Sequence, residues 1–178
     1  MNKIPYQAPP GFDWVIRAAG WQHDQAAVDI TLYTAAGHSA RLRFEALAAD
    51  VWRITFRPLQ TQLRQTPILV QTPPPAEMLR VSQTANDLIV SGPRLSLSAT
   101  LDPWSFRFSD SHGFDVLREN PSDIDGLGRP FVLPLGFVLS ETNVIQVTES
   151  FHLRPDEQLY GLGEKYTPLN KVGPRHIT

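Results

Sequence analysis

There is no cysteine among the 178 residues, which removes disulfides, thiolate zinc sites and thiol nucleophiles together. Charge of one sign is also scarce. A formal net charge of -2 gives no basic field for neutralising phosphates, so neither nucleic acid nor an anionic membrane is an expected partner. Long apolar runs are missing. The most apolar stretch, Phe131 to Leu139, is cut by Pro134 and Gly136 and falls far short of the ~20 residues of a bilayer-spanning helix, so it reads as a buried strand with a kink. The opening sequence MNKIPYQAPPG carries one lysine and then prolines where a secretory signal would place ~7 to 15 apolar residues. An untargeted, cytoplasmic protein is expected. No window of about 11 or more residues follows the helical period.

What is present suits a single β domain. Hydrophobic residues make up 42%, with 9 Phe, 4 Trp and 4 Tyr, enough for a real core and no case for disorder. Charged residues are only 19% and prolines number 16, a balance that fits short strands joined by proline-bearing loops.

Period-2 alternation marks the strands. Val28, Ile30 and Leu32 alternate with Asp29 and Thr31 after a loose Pro-rich start. Leu42 and Phe44 alternate with Arg41, Arg43 and Glu45, and Trp52, Ile54 and Phe56 alternate with Arg53, Thr55 and Arg57 until Pro58. The aromatic side of that third strand should enter the core and Arg53 and Arg57 should point away. Residues Gln60 to Pro75 are rich in Gln, Thr and Pro and read as loop. Strands are expected again at Leu88 to Val90, Leu95 to Leu97 and Trp104 to Phe108. The turn sequence Asp110 to Gly113 then leads into a hairpin partner at Phe114 to Leu117. Asn120 to Pro130 is loop, and Leu135 to Leu139 and Val144 to Leu153 complete about eight to ten short strands, the pattern of an antiparallel sandwich or barrel.

Candidate chemistry is thin along most of this length. The histidines His23, His38, His112, His152 and His176 lack the spacing that makes two of them ligands of one metal, and surface or strand positions explain them. Asp123 and Asp125 lie two apart in a loop, but a calcium loop needs further oxygen ligands and a bidentate Glu. Asp and Gly are what loops use in any case. No phosphate-binding loop, nucleophile elbow or H-E-x-x-H is present.

The exception is Phe151 to Gly173, FHLRPDEQLYGLGEKYTPLNKVG, where an alternating strand runs through a Pro-Asp turn into glycines, a carboxylate and lysines. Gly161 and Gly163 lack the third glycine and the helix of a dinucleotide site. The run instead closely resembles the end of the N-terminal β-sandwich in glycoside hydrolase family 31, with the pattern F-Y-G-L-G-E-(K/R) followed by L-N-(K/R)-x-G. Tyr160, Gly161, Leu162, Gly163, Glu164, Lys165, Leu169, Asn170, Lys171 and Gly173 match it. Upstream, Asp102 to Asn120 is similar to a hairpin of the same family, and the remainder agrees only in its all-β pattern.

The resemblance implies an all-β, antiparallel β-sandwich of the galactose-mutarotase-like supersandwich type, with its last strands missing. The whole of 1–178 is then the N-terminal domain of a larger retaining exo-α-glycosidase, in the first place an α-glucosidase. Its catalytic (β/α)₈ barrel is not in this sequence. Retention uses two carboxyl groups ~5 to 5.5 Å apart, and in the family both belong to the barrel, so no catalytic residue, metal or cofactor is expected here. The implied partners are the barrel and, through the intact enzyme, an α-linked oligosaccharide or glycoside. Tyr160, Gly161, Gly163, Glu164, Lys165, Asn170, Lys171 and Gly173 become structural residues walling the active site, the glycines at close approaches or positive φ, the polar ones tying down the loop. A family aspartate that holds sugar would follow Thr178. An incomplete sheet would leave an edge open to self-association.

Two other readings remain at this stage. A free-standing carbohydrate-binding sandwich would expose Trp14, Trp21 or Trp104 as a platform, and a mutarotase-like epimerase would need a histidine and glutamate pair in an open bowl.

Overall fold

The computed structural model describes residues 8–58, 79–119, 132–140 and 144–153. The chain forms eleven strands, several of them with apolar residues at every second position: β1 (Phe12–His23), β2 (Ala27–Thr34), β3 (Ser39–Ala48), β4 (Val51–Pro58), β5 (Arg80–Gln83), β6 (Asp87–Ser91), β7 (Leu95–Thr100), β8 (Ser105–Asp110), β9 (Asp115–Arg118), β10 (Gly136–Leu139) and β11 (Val144–Thr148). They form two antiparallel sheets, six-stranded in the order β11-β10-β1-β2-β3-β4 and five-stranded in the order β5-β6-β7-β8-β9. The described residues contain no helix. The expected all-β sandwich is what the chain forms.

The core lies between the sheets. Val28, Ile30 and Leu32 of β2 and Leu42 and Phe44 of β3 face Leu88 and Val90 of β6, Leu97 and Ala99 of β7, and Phe106 and Phe108 of β8, all buried in one cluster. Burying each Leu, Ile or Phe side chain contributes about 1.5 to 3 kcal/mol, and together these faces hold the layers in contact. The alternate residues Asp29, Arg41, Arg43 and Glu45 form the polar outer surface. Ile54 was expected inside with Trp52 and Phe56, and it shares their face, but it is 37% exposed. Its strand is the sheet edge, where the opposing layer no longer covers it.

The longest strand is one that alternation does not reveal. The pairing of β1 with β2 shifts register between Val15 and Arg17 and again between Ala18 and Gly20. Each β-bulge resets which side chains face inward. Val15 is buried while Ile16 is exposed, and Ala18 and Trp21 then pack against the core. The bulged backbone also reaches the other sheet: Ala18 N–H donates to Leu101 O at 2.7 Å, and Ile16 O accepts from Trp104 N–H at 2.9 Å. The β7–β8 turn is thus bonded to β1 of the facing layer.

Several strand boundaries differ from expectation by a residue or more, and two of them bear on the path of the chain. Trp104 precedes β8 rather than starting it, with its side chain still buried. The strand expected over Val144 to Leu153 ends at Thr148, after which Phe151 makes an isolated bridge to Glu119. The chain therefore leaves the six-stranded sheet at β11 and joins the outer edge of β9.

Candidate functional site

The motif residues Tyr160, Gly161, Gly163, Glu164, Lys165, Asn170, Lys171 and Gly173 lie outside the described residues, as do Asp123, Asp125 and His176. Polar chemistry within the described part gathers in three places.

At one end of the six-stranded sheet, Asp13 is only 3% exposed. Its Oδ2 accepts from Thr34 Oγ1–H at 2.5 Å and lies 2.7 Å from His38 Nδ1, while Oδ1 accepts from Ala36 N–H at 3.0 Å. The carboxylate thereby ties β1 to the β2–β3 turn. With its oxygens occupied by its own neighbours, it is a turn clamp.

On the outer face, Arg43 bonds Asp29 at 2.5 Å and Asp24 at 3.2 Å, and Arg53 reaches Glu45 at 3.3 Å. Asp24 is held below the usual carboxylate range, chiefly by the backbone N–H of Ala26; burial opposes this, and Arg43 and the Ala27 N–H add to the lowering. This is a salt-bridged strand surface, in which Arg43 and Arg53 are matched by Asp24, Asp29 and Glu45.

The third place is the junction where the chain crosses between sheets. Glu119, just past β9, is 3% exposed. Its Oε2 accepts from Phe106 N–H at 3.0 Å, and Leu135 of the other sheet's approach also donates a backbone N–H to it. Burial, and next the charge of Glu149, push Glu119 up to about 9. Glu149, half-buried after β11, is pushed up to about 7 by burial. Beside Glu119 a shallow groove of about 440 Å³ crosses the outer face of the five-stranded sheet, with Thr84, Asp87, Ser98, Thr100, Arg107 and Arg118 along it.

Two glutamates with raised pKa suggest acid–base work, but the geometry opposes it. A glycosidase pair must admit a sugar between its carboxyl groups, and Glu119 is only 3% exposed, with its carboxylate bonded to the Phe106 backbone N–H. No group of three or more metal-ligating side chains occurs among the described residues.

Sequence reasoning did not single out Glu119 or Glu149. The first was accessible by parity, because Leu117 faces inward and Glu119 must follow it. The second was not, since its burial arises from the crossing itself.

The three tryptophans of the platform reading differ in exposure. Trp104 is 6% exposed, and Trp14 and Trp21 are half-buried, with Trp21 Nε1–H donating to Gln83 Oε1 at 2.7 Å.

No curated protein matches the sequence. Among solved structures, the chain is similar to the cycloalternan-forming enzyme from Listeria monocytogenes, solved with a pentasaccharide substrate. The identity is 19% and the TM-score 0.71, over 92% of this chain and 14% of that one. It is also similar to a glycoside hydrolase family 31 dextranase from Flavobacterium johnsoniae, solved as a mutant with isomaltotriose. There the identity is 15% and the TM-score 0.64, over 90% of this chain and 18% of that one. The chain thus spans a small part of either enzyme, and likeness at such identity speaks for the fold. The family described as the glycosyl hydrolase 31 N-terminal galactose mutarotase-like domain matches residues 41–176, most of the chain and all of the Tyr160 to Gly173 motif, and the chain belongs to it.

Proposed function

We propose that this chain is the non-catalytic N-terminal domain of a retaining exo-α-glycosidase, an α-glucosidase in the first place, and that it supports and walls the active site of a following catalytic barrel. The observation that carries this reading is the family match running through the Tyr160 to Gly173 motif. Tyr160, Gly161, Gly163, Glu164, Lys165, Asn170, Lys171 and Gly173 line the wall, with the carboxylate and amines holding the loop rather than the sugar. Both neighbouring enzymes were solved with oligosaccharides of their own, which supports an α-linked glycoside as the class of substrate.

On this reading hydrolysis is the work of the barrel, and the chain by itself is inactive. Two measurements test this. The coding sequence beyond Thr178 is expected to continue into a barrel carrying W-x-D-M-N-E, and a stop codon directly after Thr178 would overturn the reading. The 178-residue chain alone is expected to leave nitrophenyl α-glucoside unhydrolysed; turnover above a buffer blank would place catalysis within it.

A further inference from the structure

One row of paired residues crosses four strands on the outer face of the six-stranded sheet. Gly20 of β1 pairs with Thr31 of β2, Thr31 with Arg41 of β3, and Arg41 with Arg57 of β4. Side chains opposite one another in such a ladder have Cβ atoms about 4.5 to 5.5 Å apart, and like charges placed there destabilise the pairing. Arg41 and Arg57 are such a pair. Beside them Arg43 and Arg53 are matched by Asp24, Asp29 and Glu45, whereas neither Arg41 nor Arg57 makes a side-chain hydrogen bond or ion pair with a described residue. A third cation, Arg17, lies over the ring of Tyr33 on the same face, 4.8 Å from its centroid, and has no carboxylate partner among the described residues.

The row is also open to a ligand. A groove of about 270 Å³ runs along it, lined by Gly20, Gln22, Asp29, Thr31 and Arg41. A Cβ at Gly20 would meet nothing within 4 Å, so the floor there is bare backbone with space above it. Gln22, Thr31 and Arg41 are exposed, and the Gln22 amide and Thr31 hydroxyl make no hydrogen bond with a described residue. Asp29 is the acid of the lining, and Arg43 at 2.5 Å balances its charge. What faces the groove is therefore a set of unused donors beside two uncompensated guanidinium groups.

We propose that the row Gly20–Thr31–Arg41–Arg57 is a binding site for a phosphate-type oxyanion, either free phosphate or a phosphomonoester. A phosphomonoester carries about −1.5 to −2 charges at neutral pH and three strong acceptor oxygens, so it balances both arginines and takes the hydroxyl and amide as well. A carboxylate brings one charge and two oxygens, and would leave a guanidinium unserved. The planar fork of arginine suits an oxyanion edge, donating two parallel N–H bonds. A structural role does not account for the pair, because opposed like charges work against the joining of β3 to β4. The site is local: a net charge of -2 leaves no extended basic field of the kind nucleic acid requires. It belongs to the sandwich itself and does not rest on the activity of any parent enzyme.

The test is a titration of the full 178-residue chain with sodium phosphate and, separately, with glucose 6-phosphate, at constant ionic strength. Amide and arginine Nε resonances of Gly20, Thr31, Arg41 and Arg57 should shift saturably, with a dissociation constant in the millimolar range or tighter. Arg41→Gln and Arg57→Gln should each weaken binding about tenfold or more, as expected for losing a hydrogen bond between charged groups. Arg80→Gln, which removes an exposed arginine of β5 in the other sheet, should leave it unchanged. Equal or tighter binding of free phosphate assigns the site to phosphate itself; tighter binding of the ester, with glucose alone inert, assigns it to a phosphorylated sugar. No saturation with either probe, the same response to chloride, or equal weakening by Arg80→Gln overturns the site. Both glutamine variants should melt no lower than the unaltered chain, and should either not fold, the titration of the unaltered chain decides alone.

Discussion

Phe44 of β3 meets Phe106 of β8 edge to face, with ring centroids 5.1 Å apart and planes at 67°. The same Phe44 ring stands 5.8 Å from Phe108, so one side chain of the six-stranded sheet is gripped by two of the other. Phe44→Ala should cost about 3 to 5 kcal/mol of stability, the range for emptying a buried phenylalanine site. Urea unfolding with an unchanged slope would register it; a loss under about 1 kcal/mol would mean that the layers are held elsewhere.

Trp104 offers a different contrast. It is buried, yet its indole Nε1–H has no hydrogen-bond partner among the described residues. Trp104→Phe removes that donor while keeping most of the ring, and it should cost less than about 1.5 kcal/mol, against about 3 to 5 for Trp104→Ala. Comparable losses in thermal melts of the two variants would show that the N–H does find a partner.

Gly136 and Gly20 both lie in strands but differ in what surrounds them. A Cβ at Gly136 would stand 2.5 Å from Asp13 O, where β10 runs against β1, whereas one at Gly20 meets nothing within 4 Å. Gly136→Ala is expected to destabilise by about 1 to 3 kcal/mol through forced backbone movement. Gly20→Ala should be neutral or stabilising by up to about 1 kcal/mol, because it restricts the unfolded chain. Paired denaturation curves that reverse this order would contradict the close approach of β10 and β1.

Asp110 closes the β8–β9 hairpin by accepting N–H groups from His112 at 2.8 Å and Phe114 at 2.9 Å. The Phe114 amide is the chief cause of its lowered pKa, with burial opposing only in part. A depressed carboxylate stabilises the hairpin fully above its ordinary value of 3.8 and loses that contribution as pH falls through its folded value. Titration of the His112 and Phe114 amide resonances should give a midpoint below 3.8. A midpoint at or above it would detach the turn from Asp110.

Much of the fold was legible because β2, β3, β4, β7 and β8 each obey strict alternation over a half-buried surface. β1 escaped for a physical reason: its two bulges break the period, and Ala18, Ala19 and Gly20 blur what is left. β5, at Arg80 to Gln83, is too short and too polar to signal itself. The site was less legible than the family. The Tyr160 to Gly173 motif identifies the domain from sequence, while the buried glutamate junction depends on Glu119 and Glu149 being brought together across the sandwich. No local pattern records that meeting.

The pairing of β1 with β10, through Phe12 with Val138 and Trp14 with Gly136, also sets an order of events during synthesis. β1 can zip onto β2 as soon as both have left the ribosome, but its other side waits until the whole five-stranded sheet has been translated. A nascent chain halted before β10 therefore carries a bare strand edge, open to chaperones or to a second nascent copy, and the domain's most vulnerable moment comes late in its manufacture.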